Sequence, residues 1–126
     1  ARCYHARSHN LTKDNCQFVC DQDPDGLALS TMDDQEFLAV NGIQTMSHSC
    51  QNLLPDLASL TRSGIRHFRL SPHSCDMVAV AALFRDVLDG RTEPAAASAE
   101  LAEISFDAPF CNGYLHGLKG KDWQAA

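Results

Sequence analysis

Apolar residues are grouped along this chain in short runs set apart by turn-forming residues, and the period of the runs changes along its length. Leu27, Ala28 and Leu29, then Phe37, Leu38, Ala39 and Val40, have the length of strands. Asn41-Gly42 ends the second run and suits either a hairpin into Ile43-Gln44-Thr45-Met46 or a strand-to-loop transition. Past Asn52, a cap-forming residue, Leu53, Leu57 and Leu60 recur at helical spacing, with Pro55 tolerated in the first turn and Gly64 placed as the stop. Ile65 to Leu70 predicts a short strand with Phe68 and Leu70 on one face, halted by Ser71-Pro72 because proline brings no amide donor to a ladder. Met77, Val80, Ala81, Phe84, Val87 and Leu88 then form a helical stripe, with Asp76 at its electropositive start and Gly90 as a left-handed stop. Ala95 to Ile104 is an alanine-rich helix candidate.

Strand and helix alternating over such short connections is the pattern of parallel βαβ units, so the expected class is α/β. Half of a (β/α) barrel fits it, and so does an open sheet. At 126 residues and 44% hydrophobic content, one domain over 1–126 can form a core without disulfide help. The chain starts at Ala1 and reaches Cys3 with no structural lead-in, which leads us to expect a piece of a longer protein.

Charge and hydropathy narrow the classes of partner. The formal net charge is −6 and the ten Lys and Arg residues are scattered, so no nucleic-acid partner is expected. No run approaches the roughly 20 apolar residues of a membrane span, and no basic-then-apolar leader opens the sequence, so the expected location is cytoplasmic. The acidic stretch from Asp21 to Glu36 lacks the spaced oxygens and closing Glu of a calcium loop and reads as a solvated loop.

The chemistry is concentrated at the start. Residues 1 to 25 carry no sustained period and read as loop, yet they hold Cys3, Cys16 and Cys20 in a Cys-x12-Cys-x3-Cys arrangement. Thiolates are soft ligands that select iron-sulfur clusters or zinc, and ligation orders a segment that apolar burial cannot. Spacing leaves the two open: zinc would complete its set with His5 or His9, and Cys16-x3-Cys20 is a permitted though less typical zinc pair. Disulfides are a third option, disfavoured because six cysteines are few for a secreted scaffold of this length.

Four blocks of sequence bear on this choice. Ala1-Arg-Cys-Tyr-His-Ala-Arg with Leu11-Thr-Lys-Asp-Asn-Cys16-Gln-Phe-Val-Cys20 and Pro24-Asp-Gly26, then Asn41-Gly-Ile-Gln-Thr-Met46, Leu70-Ser-Pro72 and Phe110-Cys-Asn-Gly-Tyr-Leu-His-Gly117, resemble in order and spacing the UbiV branch of the U32 peptidase family. No recognisable motif falls between Arg91 and Glu103. The resemblance implies the C-terminal part of a TIM-barrel-like protein that works with a sister U32 protein, UbiU, as a heterodimer. Their implied task is oxygen-independent hydroxylation in ubiquinone biosynthesis, beside other proteins acting on the quinone precursor. It implies a 4Fe-4S cluster on Cys3, Cys16 and Cys20, with the fourth ligand upstream of these residues.

Other candidates are weaker. Cys50 and Cys75 read as small, partly buried thiols, and Cys111 lacks a positioned base. His5 and His9 read as loop histidines or as hydrogen-bonding neighbours of a cluster, and His116 as structural. Asn41, Gln44, Arg69 and His73 fall at or just after expected strand ends, where (β/α) barrels carry their functional loops. The methionines read as packing residues. Two functions from different classes fit the same thiols, a redox component of a hydroxylase and a non-catalytic module whose metal orders a docking surface. Hydroxylation of RNA, as in sibling U32 branches, sits poorly with the acidic charge. A peptidase is not expected, because neither a Ser-His-Asp arrangement nor a His-Glu-x-x-His helix is present.

Overall fold

In the computed structural model, which describes residues 2–105 and 107–125, the chain is mixed α/β and falls into two compact units, Ala1–Ser49 and Cys50–Ala126. The first apolar runs form strands as expected. β1 (Leu27–Ser30), β2 (Glu36–Asn41) and β3 (Gln44–Ser47) make a three-stranded antiparallel sheet in that order. Asn41 pairs with Gln44 across a two-residue turn, and Gly42 at φ +60° takes the left-handed position that such turns demand. The choice left open at Asn41-Gly42 is thus settled as a hairpin. Between β1 and β2 the acidic residues Asp33 and Asp34 lie exposed at a turn closed by the Thr31 amide on the Gln35 carbonyl, as a solvated loop should.

The expectation that residues 1–25 are loop needs correcting. Tyr4–Ser8 is a short helix, α1, whose N-cap is Cys3, its Sγ accepting from the Ala6 amide at 3.4 Å. Asn10, at φ +57°, ends it: the Leu11 amide bonds back to the Ala6 carbonyl and the Asn10 amide to that of Arg7. This is a Schellman closure with asparagine in the usual glycine place. Among the described residues of this unit the buried apolar ones are few, namely Ala6, Val19, Ala39 and Val40.

In the second unit the helices follow the sequence pattern. A 3-10 turn at Leu54–Asp56 runs into α2 (Leu57–Arg62), and the Asn52 side chain accepts from the Leu54 amide at its start. α3 (Met77–Leu88) is capped by Asp76, whose carboxylate accepts from the Val78 and Ala79 amides, and α4 (Pro94–Ile104) follows. Leu54, Leu57, Val80, Leu83, Ala97 and Leu101 make the core.

Two expectations fail here. Residues 65–70 form no strand, although Phe68 and Leu70 pack on the core as their alternation required. Alternation specifies which side chains are buried, whereas a strand also needs a neighbour to complete its ladder, and none reaches this segment among the described residues. Nor are Asn41, Gln44, Arg69 and His73 at the ends of parallel strands: the first two close an antiparallel hairpin, and the others lie in irregular chain. The parallel pairing observed is β4 (Cys50–Gln51) with β5 (Phe110–Cys111). The two sheets of the described residues are small and neither closes on itself.

β5 opens the Phe110–Gly117 block, and its side chains explain themselves structurally. Asn112, 2% exposed, donates from Nδ2 to Asp56 Oδ2 and to the Gln124 carbonyl while its Oδ1 accepts from the Gln124 amide. His116 Nε2 lies 3.1 Å from the other Asp56 oxygen without the alignment of a hydrogen bond, so of the two residues it is Asn112 that ties the block to the start of α2. Gly113 has no room for a side chain, because a Cβ would overlap the Lys119 carbonyl oxygen. We therefore expect Gly113→Ala to destabilise the protein by about 3 kcal/mol through overpacking. Gly64→Ala, at φ +94° in open space, should cost about 1 kcal/mol from backbone strain alone. Urea midpoints of the two variants check the difference.

Candidate functional site

The thiol-bearing segment is built on α1 and two tight turns. Cys3 caps α1, Cys16 ends the 3-10 turn Lys13–Asn15, and Cys20 lies within the next, Val19–Gln22, which packs against α1. All three thiols are free and half-buried. Cys16 is right-handed at φ −78°, and the two residues after it are left-handed in φ, Gln17 at +51° and Phe18 at +54°. For phenylalanine this is a strained backbone, and Phe18 is 76% exposed, so burial of its own ring does not offset the strain. A right-handed to left-handed step turns successive amides toward one side, forming a concavity of the kind that receives anions and iron-sulfur groups. Among the described residues no acceptor takes the Gln17 or Phe18 amide.

His5, the second residue of α1, is fully buried. Its Nδ1 lies 3.2 Å from the Val40 carbonyl oxygen, and a carbonyl only accepts, so Nδ1 carries the proton. Nε2 faces Asp23 Oδ2 at 3.0 Å, an ion-pair separation, but the geometry is not that of a hydrogen bond and Nε2 makes none. Asp23 is presented by the turn Asp23-Pro24-Asp25-Gly26, closed by the Gly26 amide on the Asp23 carbonyl. Asp first, proline second and glycine fourth is the preferred composition of such a turn. The His9 ring stacks beside that of His5, with centroids 5.6 Å apart and planes 3° from parallel. One ligand atom from each of His5, His9 and Asp23 falls within 4.8 Å of the others.

The structure therefore alters the reading of several residues. His5 is a buried core histidine and not a loop residue, and Asp23 belongs to its surroundings and not to a solvated acidic loop. Sequence reasoning missed this pair, whose signals were the His5-x3-His9 spacing on one helical face and the strong turn at Asp23. Cys3, Cys16 and Cys20 are not a group whose sulfurs all lie within 4.8 Å, a separation that suits a single ion; a four-iron cube spaces its thiolates more widely. Beside α1 a depression of about 620 Å³ is lined by Tyr4, Arg7, Leu27, Leu29 and Val40.

In the second unit, β4–β5 pairing and the packing of Cys75 on the core gather three thiols that are distant in sequence. Burial pushes the Cys50 thiol above its ordinary value, and the neighbouring Cys111 and Cys75 push it further; burial alone raises Cys111. Both are held as neutral thiols, in keeping with packing and not with a nucleophile. Because alkylation proceeds through the thiolate, a raised value shifts its onset to higher pH. Iodoacetamide labelling at Cys50 and Cys111, followed by mass spectrometry, should still be accelerating at a pH where a small free thiol has reached its plateau.

Among the described residues no helix is long and apolar enough to cross a membrane. No protein-family model matches the chain, and no solved structure matches it. The chemistry of the site is accordingly that of its own residues.

Proposed function

We propose that this chain is the cluster-binding part of a UbiV-type U32 protein, with Cys3, Cys16 and Cys20 holding a 4Fe-4S cluster and a fourth ligand supplied from outside these residues. The observation that carries the proposal is the pairing of three free, half-buried thiols with a strained left-handed turn between Cys16 and Cys20. The donor set fits the group: three sulfurs are the soft ligands an iron-sulfur cluster selects, and the amides after Cys16 are available to donate to its anionic sulfides. When bound, such a cluster supplies one-electron transfer. The chain's own part is to fix Cys3 at a helix start and to hold the second and third thiolates on either side of a tight turn. In this reading the protein acts with UbiU in oxygen-independent hydroxylation during ubiquinone biosynthesis, on a quinone precursor in the cytoplasm.

The wider fold belongs to the same proposal. A TIM-barrel-like parent is supported by the parallel β4–β5 pair and by the helices between those strands.

A second reading is a non-catalytic module in which the metal only orders a docking surface. It is favoured by the small apolar core of the first unit, which is slight for holding nearly fifty residues unaided. Metal and sulfide analysis of anaerobically prepared protein tests the cluster directly. We expect about four sulfides per chain and at least as many irons, with visible absorption lost in a Cys16→Ala, Cys20→Ala variant. Stoichiometric zinc without visible absorption, lost in the same cysteine variant, would instead establish a structural metal module.

A further inference from the structure

We propose that His5, His9 and Asp23 form a second metal site, separate from the thiols, that takes a single divalent transition ion such as zinc or ferrous iron through two imidazole nitrogens and one carboxylate oxygen. The central observation is the orientation of His5. With its Nδ1 proton given to the Val40 carbonyl, Nε2 is the ring atom left for a further partner, and it lies buried 3.0 Å from a carboxylate oxygen without a hydrogen bond. A buried ring nitrogen this close to a carboxylate oxygen calls for a proton or a metal ion between them. Nε2 is wholly buried and makes no hydrogen bond to a protein group among the described residues.

The remaining geometry suits an ion. A histidine whose Nδ1–H is held by a backbone carbonyl is fixed in the tautomer that presents Nε2 to a metal. His9 follows four residues later, so its ring lies on the same side of α1, and the near-parallel stacking brings the two imidazoles side by side. Nitrogen and oxygen ligands about 2.0–2.1 Å from one tetrahedral ion stand about 3.3 Å apart. The His5–Asp23 pair already has nearly this spacing, and a small rotation of the His9 ring, now within 4.8 Å, completes it. Two nitrogens and one oxygen form a harder set than the cysteines, suited to zinc or ferrous iron, and three protein ligands leave a coordination position open.

The site also has a structural consequence. An ion there ties α1 to the turn at Asp23, and the chain between His9 and Asp23 carries Cys16 and Cys20. Loading the site closes the loop that bears two of the three thiols. The site does not depend on the cluster proposal, because none of its ligands is a cysteine.

Long-range proton–nitrogen NMR of the histidine rings, recorded on the unaltered chain during titration with zinc, tests the site with a readout that thiolate binding does not mimic. We expect the His5 Nε2 and His9 resonances to move together and to saturate at one ion per chain. His9→Gln and Asp23→Asn, which leave the buried His5 ring in place, should each weaken binding at least tenfold. A Cys3→Ser, Cys16→Ser, Cys20→Ser variant should retain the His5 response, which separates this site from the thiols should that variant or the cluster fail. The proposal is overturned if zinc leaves the His5 Nε2 resonance unmoved, or if both single variants bind as tightly as the unaltered chain.

Discussion

A buried imidazole held between a backbone carbonyl and a carboxylate is the constraint on which the first unit depends. His5 joins three pieces of chain that share little apolar surface: α1 by its own backbone, β2 through the Val40 carbonyl, and the Asp23 turn through Nε2. An unpaired polar atom at full burial is destabilising, by about 1–3 kcal/mol on the usual scale, so this arrangement calls for a compensating partner. A proton or a metal ion at Nε2 provides one. The thiols lie along the same piece of chain, and their relative placement follows from how firmly that imidazole holds α1 against the turn.

The strain after Cys16 has the same sense. Two consecutive left-handed residues, one of them an exposed phenylalanine, are not what the local sequence prefers. Such strain persists where the surroundings over-determine it, and here it lies between two candidate ligands. The second unit rests on a larger apolar core. Its Leu54, Leu57, Val80, Leu83, Ala97 and Leu101 pack together, Asp76 caps the start of α3, and the Asn112 side chain fastens the C-terminal block to Asp56 at the start of α2. Chemistry and stability are thus divided along the chain, with reactive groups where the apolar core is smallest.

Much of this was legible from sequence where the signal is local. The hairpin at Asn41-Gly42, the Asp76 cap of α3 and the stripe that α3 buries follow from turn chemistry and helical period. α1 escaped because it is capped by cysteine and ended by asparagine, neither a strong helix boundary by composition. Residues 65–70 show the opposite failure, a correct burial pattern without the neighbour that would make it a strand. The His5–Asp23 pair and the Cys50, Cys75, Cys111 neighbourhood are tertiary facts, brought about by closures of eighteen residues and more that no periodicity encodes.

Amide hydrogen exchange across residues 3–25, compared between metal-free and metal-loaded protein, tests the central claim that metal ligation orders the thiol-bearing segment. Loading should slow exchange in α1 and the turns around Cys16 and Cys20 by at least tenfold while leaving α3 and α4 unchanged. Equal exchange in both states would contradict the account, showing a segment that is ordered by its own packing and does not need metal.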